Sequence, residues 1–387
     1  MRVVLCARGA ARELAGIAGA LRARGAEPIV VDSAAFPSGA TLNLAYDRAG
    51  FGGRWGGAGG AGGRGGPDGD EPHAWRDVAA VWQRAVVGVA LPAMADGVRE
   101  TCVAASERAV IGWLDSLDVF QLDPHGCQQR ADNKPHQLRV AQQVGLDIPA
   151  TLISNDPDAV RAFAGRTGPL IMKMLVQPAS PGPAAGSGGG VPGAKGEGGG
   201  RDGSGAVGGG EPGAEGDGGP GGEGEPGAEG EDEGEADVVF TTALTADELA
   251  RLDGLDLCPM IFQERIENRL DVRVTVAGRQ VNAAALDRVA HGGAGLDWRR
   301  DSYAQDRAPR WVPYALPPAI ADAVLRLLDR YALNYGAADF IVRPDGSHVF
   351  LELNASGSFA FLGDDLARPI AAAIAAVLVD PGARRVP

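Results

Sequence analysis

The chain reads as an α/β start followed by an α+β second half, and three observations predict this. Residues 2–31 give strand, helix, strand, the unit from which a parallel sheet is built. Residues 260–286 give three successive β-type runs with short connections, which suits antiparallel pairing. Residues 336–357, GAADFIVRPDGSHVFLELNASG, place two apolar β-type runs around Pro344-Asp345-Gly346, a strong hairpin signal.

In order, residues 2–6 form the first strand and residues 10–23 an Ala-rich helix stopped by Gly25. Residues 27–31 form the second strand. Residues 52–69 are almost all Gly and Arg and read as a flexible loop, without the strand and helix that would make them a phosphate cradle. A strand follows at 78–82 and a helix at about 98–116. Asp132 or Asn133 caps a helix that runs through Gln137 and Leu138 to Val144, where Gly145 ends it. Asp156-Pro157 opens another helix, as a cap followed by Pro at the first helical position. Residues 170–175 form a strand interrupted by Lys173. Structure then resumes with a strand at 238–241, a short helix at 246–252, strands at 260–265, 270–276 and 280–286, and a helix at 318–331 leading into the hairpin.

Composition excludes several classes. The net charge is −14, and residues 177–236 hold twelve acidic residues against Lys195 and Arg201, so this segment accounts for −10 of it. No basic footprint for nucleic acid remains. The segment is dominated by Gly, Pro, Ala and Glu. It cannot bury enough apolar surface to offset its ordering entropy and is expected to be disordered. The four cysteines are scattered, with no C-x-x-C pair, which argues for reduced thiols and against structural zinc. The opening MRVVLCARGA is too short in apolar residues for a signal peptide, and no apolar run is long enough to span a membrane. A cytoplasmic protein is expected.

The hairpin carries the chemistry. With a loop at 344–347 and Arg343 facing His348, counting outward puts Asp339 opposite Glu352, and strand alternation puts Asn354 on the face of Glu352. Opposed carboxylates destabilise a sheet unless a cation lies between them. An all-oxygen set of this kind suits Mg²⁺ held with substrate phosphates. Lys173 interrupts an apolar strand, so a buried ammonium there needs an anionic partner such as phosphate. Asp271 and Arg273 share one strand face at i, i+2. The Arg273 fork suits a phosphate or acyl-phosphate, and a structural Asp–Arg pair is the competing reading.

Taken in order, VWQR at 81–84, ADNKPHQLRVAQQVGLDIPATLISNDP at 131–157, VVFTT at 238–242, PMIFQERIENRLDVRVTVAG at 259–278, LDWR at 296–299 and the hairpin resemble the ATP-grasp ligases. Within them they resemble the ATP-grasp ribosomal peptide maturases, or graspetide synthetases of the microviridin type. The resemblance implies an ATP-grasp fold: an N-terminal parallel-sheet domain at 1–125, then a small subdomain at 126–176 and 237–265. A C-terminal catalytic subdomain follows at 266–387, the two α+β subdomains sandwiching ATP and the acidic insert separating the halves of the small one. It implies that Lys134 and Lys173 hold ATP phosphates, that Gln263, Glu264 and Asp271 serve the nucleotide, and that Asp339, Glu352 and Asn354 bind Mg²⁺. Arg273 and Arg299 would meet the transferred phosphoryl group or the acceptor.

The implied cofactors are ATP and Mg²⁺, and the implied partner is a ribosomally made precursor peptide, leader plus core. No nucleic acid or membrane partner is expected, and a homodimer is left open. The implied reaction activates an Asp or Glu side chain of the peptide as an acyl-phosphate and closes a macrocyclic ester or amide. A ligase of free amino acids or small carboxylates, and a nucleotide-dependent peptide binder without turnover, are the alternatives. Three departures from the family pattern stand out. Asn354 is followed by Ala-Ser-Gly-Ser where Pro-x-Gly-Gln is common, Asn268 replaces a usual Lys, and the acidic insert falls where a short glycine-rich lid is usual.

Overall fold

The computed structural model describes residues 1–8, 11–48, 50–56, 73–74, 77–84, 91–175, 241–290 and 309–387. It begins with β1 (Arg2–Ala7), α1 (Ala11–Arg22) and β2 (Glu27–Asp32), with β2 parallel to β1. Gly25 between them has φ +74°, a conformation that suits glycine, so the helix ends there as expected.

A small antiparallel sheet follows, of β3 (Thr41–Asp47), β4 (Gly50–Gly56) and β5 (His73–Ala74). This corrects the expectation that a loop begins at residue 52; residues 57–69 lie outside the described residues. The Gly-rich run pairs because Trp55 anchors it. That ring is 6% exposed and stacks on Trp113 at 5.6 Å between centroids. Next come β6 (Val78–Arg84), α2 (Asp96–Asp115) and β7 (Phe120–Leu122), completing a parallel sheet in the order β2-β1-β6-β7. One face of this sheet packs on α2 through Val110, Trp113 and Leu114.

Then α3 (His125–Ala131) leads to α4 (Lys134–Gln143), capped by the Asn133 side chain, which accepts from the His136 N–H at 3.1 Å. Of the two candidate caps, Asn133 is the one used. Six elements follow, four of them the strands of an antiparallel sheet: β8 (Thr151–Ser154), α5 (Pro157–Thr167, capped by Asp156), β9 (Leu170–Met174), β10 (Thr242–Ala243), α6 (Ala246–Ala250) and β11 (Met260–Glu264). The sheet order is β10-β9-β11-β8. The strand expected at 238–241 lies, but for residue 241, outside the described residues, as do all of 176–240 with the acidic insert; the described strand beside it is β10 at Thr242–Ala243.

The last sheet is antiparallel and five-stranded, in the order β14-β13-β12-β15-β16. It comprises β12 (Leu270–Ala277), β13 (Gln280–Asp287), β14 (Val312–Pro313), then α7 (Pro318–Arg330), β15 (Tyr335–Val342) and β16 (His348–Asn354). The chain closes with α8 (Asp364–Val379). Val272, Val274 and Val276 face one way, onto α4 and α7. The opposite face reaches α8, which packs in turn on Leu14, Ile17, Ala18 and Leu21 of α1. This helix therefore joins the N-terminal sheet to the last one. A second junction is Asp123, whose buried carboxylate accepts the backbone N–H of Asn334 (2.9 Å) and Tyr335 (2.8 Å) at the start of β15. Among the described residues no helix is long and apolar enough to cross a membrane.

Candidate active site on the last sheet

Asp339 on β15 stands directly opposite Glu352 on β16, and Ala337 opposite Asn354. The pairing expected from sequence is present, but the path to it differs. Val342, not Arg343, faces His348, so the hairpin loop is one residue longer than expected. A bulge between Asp339 and Phe340 takes up the difference, with Phe340 facing Phe350. Such a bulge re-aims a side chain beside a functional site, and here it presents Glu352 to Asp339.

The outer edge of β16 is closed by α4. The Gln137 side chain accepts from Leu353 N at 2.8 Å and donates to Leu353 O at 2.7 Å, and Phe350 N donates to Asp147 O at 2.8 Å. Leu353 lies between Glu352 and Asn354, so Gln137 fixes the backbone that carries both. Gln137 is 2% exposed and was not singled out by sequence reading; a lone Gln within a helix gives no signal of its long-range partner.

Three polar side chains converge. Asn354 Nδ2 donates to Asp339 Oδ2 at 3.1 Å and to Glu352 Oε1 at 3.3 Å. Lys134 Nζ, in the first turn of α4, donates to Glu352 Oε2 at 2.7 Å. Arg273 NH1 donates to both Asp339 oxygens, at 2.7 and 2.8 Å, and its NH2 to Ser358 O at 2.8 Å. Burial alone would raise the Glu352 carboxyl. Lys134 reverses this, with smaller help from Lys173 and Asn354, and holds it well below the usual carboxylate range. Lys173, on β9 in a different sheet, therefore acts electrostatically on this same carboxylate.

The structure thus brings Asp339, Glu352, Asn354, Lys134 and Arg273 together by hydrogen bonds, with the Lys173 charge helping to lower the Glu352 carboxyl. Arg273 is 4% exposed and pairs with Asp339 across the sheet rather than with Asp271. Asp271 is on the same face but accepts from Asn268 Nδ2 at 2.8 Å and pairs with Arg288 at 3.5 Å. Gln263 and Glu264 end β11, between β8 and β9. The Gln263 amide is buried and donates to Thr151 Oγ1 at 3.1 Å, and Glu264 accepts from Ala150 N at 3.3 Å. Arg299 lies outside the described residues.

Among the described residues no three His, Cys, Asp or Glu side chains cluster as a metal site. The patch offers two carboxylates and a carboxamide. This hard, all-oxygen set fits Mg²⁺ completed by phosphate and water oxygens, and fits zinc poorly. An Asn354 turned about its terminal torsion would offer Oδ1 in place of Nδ2.

No protein-family model matches the sequence, and no curated protein does. Solved structures do match over the full length. Macrocyclase MdnC from Microcystis aeruginosa, bound with precursor peptide MdnA, is 30% identical with a TM-score of 0.72, over 98% of this chain and 100% of that one. Macrocyclase MdnB from the same organism is 25% identical with a TM-score of 0.69, over the same shares. A RiPP-associated ATP-grasp ligase from Chryseobacterium gregarium, in complex with ADP and a leader and core peptide, is 24% identical. It covers 100% of this chain and 98% of that one, with a TM-score of 0.75.

Proposed function

We propose, for a chain that belongs to the ATP-grasp ligases of ribosomally made peptides, an ATP-dependent closure of ester or amide bonds within a precursor peptide. An Asp or Glu side chain of the peptide takes the γ-phosphoryl group of ATP, releasing ADP. A Ser, Thr or Lys side chain of the same peptide then attacks the acyl-phosphate and expels phosphate. Each bond removes one water from the peptide overall. The observation that carries this reading is the patch of Asp339, Glu352 and Asn354 flanked by Lys134, Lys173 and Arg273. It holds no nucleophile, and phosphoryl transfer needs none; positioning and charge neutralisation do the chemistry.

Asp339, Glu352 and Asn354 are the residues that would hold Mg²⁺, which when bound neutralises charge on the transferring phosphoryl oxygens. Lys134 and Lys173 bind and orient the nucleotide phosphates from two different sheets. Arg273 keeps Asp339 aimed by donating to both of its oxygens. Glu264 sits at the strand end where the adenine is placed by this reading, whereas the Gln263 side chain serves packing against Thr151. Asp271 orders the neighbouring Arg288. The unpaired cysteines fit a reducing, cytoplasmic setting.

The test is the intact mass of a precursor peptide encoded beside this gene, after incubation with the protein, ATP and Mg²⁺. Loss of a whole number of waters, dependent on ATP, is expected. A gain of one amino acid residue would instead point to a small-molecule ligase. ATP binding with no mass change and no phosphate release would leave only a peptide binder.

A further inference from the structure

The loop that follows Asn354 is held from outside its own sheet. Glu13, on α1, is 3% exposed. Its Oε1 accepts from Ser358 Oγ (2.5 Å), Phe359 N (2.8 Å) and Ala360 N (3.0 Å), and its Oε2 accepts from Arg84 NH1. Arg84, the last residue of β6, also donates Nε to Ser356 O at 2.9 Å. From the sheet side, Tyr335 Oη donates to Gly357 O at 2.6 Å and Arg273 NH2 to Ser358 O at 2.8 Å. Three successive carbonyls therefore each accept from a different side chain: Arg84, Tyr335 and Arg273. A Cβ at Gly357 would lie 2.6 Å from Arg273 NH2 and 2.7 Å from Ala337 Cβ, so the loop backbone sits directly on the arginine.

We propose that Glu13 and Arg84 are positioning residues for the metal-binding carboxylate: by fixing residues 356–360 they aim the Arg273 fork at Asp339. The proposal rests on the reading of Asp339, Glu352 and Asn354 as the Mg²⁺ ligands. A guanidinium is planar, so fixing one nitrogen on Ser358 O fixes the plane in which the other meets both carboxylate oxygens. Free the Ser358 carbonyl and the fork can turn about its stem, loosening Asp339. Glu13 is suited to the task because a buried carboxylate demands partners on both oxygens, and here all of them belong to this loop or to Arg84. Burial lowers the Arg84 guanidinium from its ordinary value; Tyr335 opposes this and Arg273 adds to it. The N-terminal sheet and α1 thereby position the site from behind, through the loop at 356–360.

The test uses the full chain with Ser358→Ala, Arg84→Lys, Arg84→Met and Glu13→Gln. Binding of ADP is measured by calorimetry across a Mg²⁺ titration, and amide exchange at Phe359 and Ala360 is measured without metal. Folded variants should keep the metal-free ADP affinity of the unaltered protein but need ~10-fold more Mg²⁺ for the metal-linked gain, the usual scale for a partner behind a metal ligand. Arg84→Lys should lose less than Arg84→Met, and exchange at the two amides should quicken in Glu13→Gln. Ser358→Ala is the mildest change and keeps the proposal testable should Glu13→Gln not fold. An unchanged Mg²⁺ dependence in every folded variant, even with lowered melting temperatures, would make the cluster mere glue and overturn the proposal. If the unaltered protein itself shows no Mg²⁺-linked ADP binding, the metal reading falls and takes the proposal with it.

Discussion

Gln137 offers the most direct test of how the helical layer supports the site. It is 2% exposed, and its side chain partners both the N–H and the C=O of Leu353 on the outer edge of β16. An unpaired buried backbone group costs roughly 1–3 kcal/mol. Gln137→Leu fills the same volume with carbon and leaves both groups unpaired, so a loss of ~2–5 kcal/mol is expected. Gln137→Ala opens room for water between α4 and β16, and a bridging water would recover part of that, leaving ~1–3 kcal/mol. The order is therefore the reverse of an ordinary core site, where the larger apolar residue is the milder change. Urea unfolding of both variants at one pH measures it. Gln137→Leu unfolding at the urea midpoint of the unaltered protein, or proving more stable than Gln137→Ala, would refute the account of the closed edge.

Three further outcomes follow from the structure. Glu352→Gln should reduce ATP turnover ~100- to 1,000-fold, while costing only about 1 kcal/mol of stability, because its ion pair with Lys134 is partly exposed; turnover within threefold of normal would remove Glu352 from the site. The same pair predicts a pH dependence: Glu352 is held below its ordinary 4.5, so the unfolded chain takes up its proton first as the pH falls. Its stabilising effect is complete above that value and fades below it, so melting curves of the unaltered protein and Glu352→Gln should converge toward low pH. Gly278 turns β12 into β13 with φ +55°, and a Cβ there would lie 2.2 Å from Ala383 O and 2.6 Å from Val377 Cγ2. Gly278→Ala should cost more than ~2 kcal/mol, and a melting temperature within a degree of normal would contradict the close approach.

Local pattern carried much of this fold. Strand alternation, the caps at Asn133 and Asp156, and the stop at Gly25 are contained in a few consecutive residues, and the structure uses each of them. The Asp339–Glu352 pair was legible for a partly mistaken reason. The loop is longer by one residue and the bulge restores the count, and neither is dictated by the residues near the turn. A Gly-rich strand was not legible, because β4 owes its pairing to Trp55 meeting Trp113 far along the chain. The same holds for the supports of the site. Glu13 reaches a loop some 345 positions away and Lys134 a carboxylate 218 positions away, and no local spacing announces such contacts.

The Lys134–Glu352 bond itself makes a prediction about how nucleotide and metal bind together. Lys134 donates to Glu352 at 2.7 Å, and Lys173 acts on the same carboxylate. Without metal, the Glu352 charge offsets the cations that a nucleotide phosphate needs and also repels the phosphate. A carboxylate and a phosphate charge ~6 Å apart repel by roughly 3 kcal/mol at an effective dielectric constant near 20, and salt reduces this to ~1–2 kcal/mol. Glu352→Gln removes that repulsion and frees Lys134. Metal-free ADP should then bind the variant ~5- to 30-fold more tightly than the unaltered protein. Mg²⁺ should add far less, since one ligand charge is gone. The two effects have opposite sign in a single variant, so general damage to the site cannot mimic them. Lys134→Met, by contrast, should weaken ADP with and without Mg²⁺. Calorimetric titration of ADP into the three proteins, each with Mg²⁺ and with chelator, decides the matter. Metal-free affinity that is unchanged or weaker in Glu352→Gln would show that Lys134 is committed to the carboxylate as a structural pair and takes no part in holding phosphate.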